Sequence, residues 1–147
     1  MDTPIRPLTR AEIVSPAFGP LLWEAASVDA DALMHIRDVE LPHLEVIGSA
    51  DDAGDVVGFA AFERHRDHLE LHYLAVSETA RGAGLGSRLI DAVRAADPSL
   101  PLRAETDDDA VDFYRTLGFT VTGAPRDARW PARRRYRCEM PPREASA

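Results

Sequence analysis

Between Leu44 and Val76 the apolar positions come in short bursts. LEVIGSA (44–50), VVGFAAFERH (56–65) and HLELHYLAV (68–76) are strand-length and rich in β-branched and aromatic residues. DDAGD and RD separate them, so the pattern predicts an antiparallel meander. Strict alternation along the third run puts Glu70, His72, Leu74 and Val76 on one face and Leu71, Tyr73 and Ala75 on the other. Outside the meander the spacing turns helical. SRLIDAVRAA, with Leu85 just before it, puts Leu85, Leu89 and Val93 on one stripe and ends at Asp97-Pro98, while in TDDDAVDFYRTLGF the residues Ala110, Phe113, Tyr114 and Leu117 repeat at i, i+3, i+4, i+7. Gly118 stands where a helix C-cap glycine belongs.

The ends of the chain are less regular. IRPL (Ile5–Leu8) reads as a first strand, and Thr9-Arg10-Ala11-Glu12 has the spacing of a capping box that starts a helix. Pro16, Gly19 and Pro20 predict a break before PLLWEAAS, with a further helical piece over Asp29–Asp38, where Ala32, His35 and Ile36 keep helical spacing. LPLRAE, FTVTG and RRRYRCEM read as short strands. The order is helices, meander, helix, strand, helix, strands, which is an α+β arrangement around one mixed sheet.

A length of 147 residues with 45% hydrophobic content suits one domain, placed at residues 1–140, with 141–147 (PPREASA) expected as a disordered polar tail. No internal repeat is visible. No apolar run is long enough for a membrane span and MDTPIRPLTR lacks the apolar stretch of a secretory signal, so a cytoplasmic location without membrane association is expected. The lone Cys138 has no partner for a disulfide and no neighbour at metal-ligand spacing; it reads as a half-buried strand residue, and no metal is expected. A net charge of −8 argues against a nucleic-acid partner.

The chemistry concentrates at RGAGLGSR (81–88), which enters the helix SRLIDAVRAA directly. A P-loop would need lysine and a hydroxyl after its last glycine, and a dinucleotide fingerprint would need a glycine at Ser87. Neither spacing is met. What the loop does offer is main-chain N–H groups, exposed by the absent side chains of Gly82, Gly84 and Gly86, at the electropositive end of a helix. A pyrophosphate suits that cradle.

The run Arg81-Gly82-Ala83-Gly84-Leu85-Gly86 resembles the acyl-carrier signature of the GNAT superfamily of acetyl-CoA-dependent N-acetyltransferases. LAVSETA before it and DAVDFYRTLGF after it are similar to further motifs of that family, and IRPL is a usual opening. The resemblance implies a GNAT-like fold, a mixed and mostly antiparallel sheet flanked by helices and splayed between the fourth and fifth strands. It implies acetyl-CoA as cosubstrate, held by the amides of Arg81, Gly82, Ala83, Gly84, Leu85, Gly86 and Ser87 and by main-chain groups at Leu74, Ala75 and Val76. Asp107 stands where relatives often carry a cofactor-touching asparagine; aspartate serves equally as a helix cap.

Amine acetylation needs one proton removed and one delivered. By resemblance Tyr114 faces the sulfur as general acid, with Phe113 left to the core, and Glu70 stands where some members keep a basic glutamate. His72, with an ordinary pKa near 6.5, is the other candidate base. Trp23, Asp31, His35, Glu40 and His43 are candidates for lining the acceptor site, and the arginines 133, 134, 135 and 137 either receive an acceptor carboxylate or guard a strand edge. The expected reaction is direct acetyl transfer in a ternary complex to a primary amine of a small molecule, with a protein lysine or N-terminus as the alternative acceptor, or an acyl-CoA sensor without turnover. A homodimer is compatible with the family.

Overall fold

A computed structural model of the chain describes residues 4–143; residues 144–147 of the expected tail lie outside them. The meander forms as its pattern requires. β1 (Arg6–Pro7), β2 (Glu45–Ala50), β3 (Val56–Arg64), β4 (Leu69–Val76), β5 (Leu102–Asp107), β6 (Thr120–Ala124) and β7 (Arg135–Met140) join one sheet in the order β1-β2-β3-β4-β5-β7-β6. Every neighbouring pair is antiparallel except β4 and β5. That parallel ladder covers only Leu69–Leu71 against Leu102–Ala104. Beyond it β4 runs on beside β3 while β5 runs on beside β7, so the sheet opens at its middle.

One face of the sheet is closed by α4 (Leu85–Ala95) and α5 (Val111–Thr116). Leu85, Leu89, Ile90 and Val93 of α4 and Tyr114 of α5 pack with Leu71, Leu74 and Val76 of β4 and with Cys138 and Met140 of β7. Cys138 is fully buried rather than half-buried, because Ala104 lies across from it and α5 covers that end of the face. The other face is closed by α1 (Arg10–Ile13), α2 (Phe18–Ala26) and α3 (Ala30–His35). Phe18, Leu21 and Leu22 meet Phe59, Ala61, Tyr73 and Ala75 there.

The capping box is present in full: Thr9 Oγ1 accepts from the Glu12 amide at 3.2 Å and the Glu12 carboxylate accepts from the Thr9 amide at 2.9 Å. The predicted break before Pro20 is not where the chain breaks. α2 starts at Phe18 and takes Gly19 and Pro20 into its first turn, where an absent amide hydrogen costs the helix nothing. After α3, residues Ile36–Glu40 widen into a π-helical turn rather than continuing a regular helix.

The alternation expected along β4 also fails, for a local reason. Phe62 pairs with Leu71 but the next residue of β3, Ala61, pairs with Tyr73. His72 is thus the extra residue of a β-bulge, and the faces exchange across it. Leu71 and Leu74 end on the α4 side and Tyr73 and Ala75 on the α2 side.

Candidate active site

Where β4 and β5 part, a cavity of about 520 Å³ opens. Its walls come from the end of α2, the bulged stretch of β4, the end of β5, α5, and the connection between β6 and β7. That connection is strapped down by Trp130, whose indole N–H donates to the carbonyls of Ala26 and Ser27 at 3.2 and 3.1 Å. The strap closes the cavity against the C-terminal end of α2, where Ser27 takes a left-handed conformation (φ 51°).

Three predicted catalytic residues, Tyr114, Glu70 and His72, line this one cavity together with Leu74 and Asp107. Tyr114 is 7% exposed and packs edge-on against Phe119, ring centroids 5.3 Å apart. Burial pushes its phenol above the usual tyrosine range, against the opposing field of Arg135, so it is protonated at any working pH. Phe113, expected in the core, is instead 39% exposed and also lines the cavity; adjacent positions on a helix point apart, and only Tyr114 turns inward.

At the other side of the cavity Glu70 meets His68 Nε2 at 3.1 Å, and His68 Nδ1 meets Asp67 at 2.7 Å. Glu63, directly across from Glu70 in the ladder, lies 2.8 Å from His65 Nε2 and 3.6 Å from His72 Nε2. Carboxylates and imidazoles therefore alternate around the bulge. Glu70 keeps 28% of its side chain exposed, enough to exchange protons with a ligand or water.

The glycine loop stands beside the cavity without lining it, as do Ala75 and Val76. Its three glycines do different work. Gly82 and Gly84 have φ of 85° and 78°, with open space where a Cβ would be, so the backbone conformation demands them. Gly86 has no such φ; a Cβ there would come within 3.1 Å of Phe113 Cζ, and its role is to let α4 and α5 approach. Arg81 is not a loose surface charge. Its Nε donates to the Val76 carbonyl at 3.1 Å and its terminal nitrogen meets Glu24 at 3.1 Å, which ties the loop to β4 and α2. Among the described residues the amides of Gly82 to Ser87 meet no acceptor, and no side chain caps α4. Three of them, Leu85 to Ser87, form the first turn of α4.

Asp107, expected as the cap of α5, instead closes the turn before it: its Oδ1 accepts from the amides of Asp109 and Ala110 at 3.0 and 3.3 Å, while the N-cap of α5 is Ala110, without a side-chain cap. The Asp107 Oδ2 is held by Arg133 at 3.0 Å. Among the described residues no cluster of three His, Cys, Asp or Glu could share a metal ion, and no helix is long and apolar enough to cross a membrane.

A family model described as an acetyltransferase (GNAT) domain matches residues 44–121, more than half of the chain, and covers the meander, the glycine loop and α5. The chain belongs to the GNAT acetyltransferase family. It is accordingly an acyltransferase. Solved GNAT structures share its fold. A structure titled histone acetyltransferase HPA2 and related acetyltransferase, from Corynebacterium glutamicum, is 23% identical with a TM-score of 0.71, covering 97% of each chain. An aminoglycoside 6'-N-acetyltransferase complexed with coenzyme A is 15% identical with a TM-score of 0.68, over 93% of this chain and 96% of that one. Tetrahymena GCN5 is 16% identical, also at 0.68, over 97% and 98%. No curated protein matches the chain by sequence.

In this GNAT enzyme, sequence reasoning missed most of the cavity's other wall. Trp23, Asp31, His35, Glu40 and His43 do not line the cavity; His35 and Glu40 border a separate hollow. Glu24, Glu63, Asp127, Arg129 and Trp130 line it instead. The one available signal was Trp130, an aromatic residue in an otherwise polar connection.

Proposed function

We propose that this GNAT enzyme transfers acetyl from acetyl-CoA to a primary amine of a small molecule, by direct attack within a ternary complex. The observation that carries the reading is a buried tyrosine in the wall of a cavity that opens where β4 and β5 part. The residues fit the cosubstrate. Unpartnered amides from Gly82 to Ser87 would hold its diphosphate, and the edge of β4 from Leu74 to Val76, which has no strand partner on the β5 side, would pair with its pantetheine amides. Bound acetyl-CoA supplies the thioester carbonyl that the amine attacks.

The chain's own residues manage the protons. Glu70, through a water, or His72, directly, accepts the proton that leaves the attacking ammonium, and main-chain N–H groups on β4 stabilise the negative charge that develops at the carbonyl oxygen. Tyr114 donates to the departing sulfur. Since burial opposes formation of a phenolate, Tyr114 gives a hydrogen bond first and its proton only as charge accumulates on sulfur; the positive field of Arg135 eases that step. Cys138 takes no part: it is fully buried, and burial pushes its thiol up to about 11, so it offers no thiolate for a covalent acetyl-enzyme. The strapped cavity supports a small acceptor, since its volume lies within the range of small-ligand sites.

Release of free thiol from acetyl-CoA over a panel of small primary amines, with wild type and Tyr114→Phe, tests the reading. Turnover by wild type and a loss of about 100-fold in the variant are expected. Equal turnover across pH would remove Tyr114 from the mechanism; Glu70→Gln combined with His72→Ala tests the base in the same assay.

A further inference from the structure

The four arginines of the last strand region do not act alike. Arg133 is held by Asp107 and Asp109, Arg134 lies over Tyr136, and Arg137 reaches Glu105 at 3.7 Å. Arg135 alone turns inward. It is 7% exposed, lines the active-site cavity, and its Nε meets no hydrogen-bond partner among the described residues. Its cross-strand neighbour is Asp107, but that carboxylate is committed to Arg133 and to the amides of Asp109 and Ala110.

The other carboxylates of the wall have partners of their own. Arg81 holds Glu24, Arg129 holds Asp127 and Arg137 holds Glu105, while histidines lie against Glu63 and Glu70. Among the described residues, Arg135 is the one arginine of the wall with no carboxylate at ion-pair distance. Burying a lone guanidinium is costly unless something anionic meets it. The group is also held in place. Its central carbon lies 4.5 Å from the centroid of the Trp130 ring, and that ring is fixed by its own hydrogen bonds to Ala26 and Ser27. A planar donor set clamped against an aromatic ring is arranged to receive a planar anion through two parallel hydrogen bonds.

We propose that Arg135 receives a carboxylate of the acceptor, so that the enzyme acetylates amino acids, amines that carry their own carboxylate. The inference rests on the acetyl-transfer reading and adds the acceptor's class to it. With the carboxylate on Arg135, the amine of the same molecule lies within the cavity that Tyr114, Glu70 and His72 line.

The test compares kcat/KM for the common L-amino acids with that for their C-terminal amides. Amides have less basic amines, which favours them at neutral pH, so a preference for the acids must come from the site. Wild type is expected to prefer the acid of its best pair by about tenfold or more. In Arg135→Gln the ratio is expected to fall to about one or below, and in Arg135→Lys, which keeps the charge without the planar fork, to an intermediate value. Amides used as well as acids by wild type, or no amino acid acetylated at all, overturns the assignment. If Arg135→Gln does not fold, the wild-type ratio and the lysine variant decide. Calorimetric titration of CoA into wild type separates the two layers: CoA binding without a carboxylate preference overturns only the role of Arg135, whereas no CoA binding overturns the acetyl-transfer reading and this inference with it.

Discussion

The two faces of the sheet are built on different principles. On the face covered by α4 and α5, the groups proposed to hold the cosubstrate are main-chain: amides bared by Gly82 and Gly84, and the edge of β4 that β5 leaves open. On the face covered by α2 and the strap, the cavity's polar groups are side chains in pairs, such as Asp127 with Arg129 and Glu63 with His65. A backbone-built site recognises what every substrate pair shares, the carrier. A side-chain-built site is where one enzyme can differ from another, because changing a residue there leaves the fold intact.

Tyr114 packs on the α4 face and also lines the cavity, and its loss should have the largest effect. Tyr114→Phe is expected to lower kcat by about 100-fold with CoA affinity kept, measured by thiol release and calorimetry. An equal loss of CoA affinity would show that the tyrosine serves packing. Gly84→Val attacks only the main-chain side: forcing a β-branched residue to φ 78° costs about 1–2 kcal/mol, so CoA should bind about tenfold more weakly. The acceptor KM at saturating acetyl-CoA should hold.

Trp130→Ala is the mirror experiment. It frees the strap from α2 and should raise the acceptor KM severalfold while the Kd for CoA stays the same; a shift in both would join the two faces into one unit. Far from both, Thr9→Ala removes a cap and should cost about 1 kcal/mol of stability, read as a lower Tm with unchanged kcat. The capping box also has a pH signature. The Arg6 guanidinium, followed by the Thr9 amide, holds the Glu12 carboxyl down to about 2 from its ordinary 4.5. A depressed folded-state value means that this stability is fully present above pH 4.5 and is lost as the pH falls toward 2. Thermal melts of Glu12→Gln should show a flatter acid limb than wild type.

The sequence was most legible where one physical rule acted alone. Period and turn residues placed the meander and α4, and the 3.6-residue repeat with Gly118 placed α5, because burial of one face leaves few alternatives. The open amides of the glycine loop could be anticipated, yet the three glycines read as one feature and proved to be two: conformation at Gly82 and Gly84, close packing at Gly86. Pro20 misled because proline breaks helices everywhere except their first turn. His72 was misplaced because a bulge is set by how β3 pairs with β4, which alternation within one strand does not record. Asp127, Arg129 and Trp130 sit in a connection without period, so only the fold brings them to the cavity. The arginines 133 to 137 looked like one basic run; the fold gave Arg133 and Arg137 carboxylates and, among the described residues, left the Arg135 Nε without a hydrogen bond.

The account depends most on the main-chain amides at the start of α4, and one measurement reaches them directly. Titrating CoA into uniformly 15N-labelled protein and following each amide by NMR should give saturable shifts that are largest from Gly82 to Ser87, with pantetheine, which lacks the diphosphate, leaving those amides nearly unmoved. Saturation with the largest shifts elsewhere, or the same response to pantetheine, would contradict it.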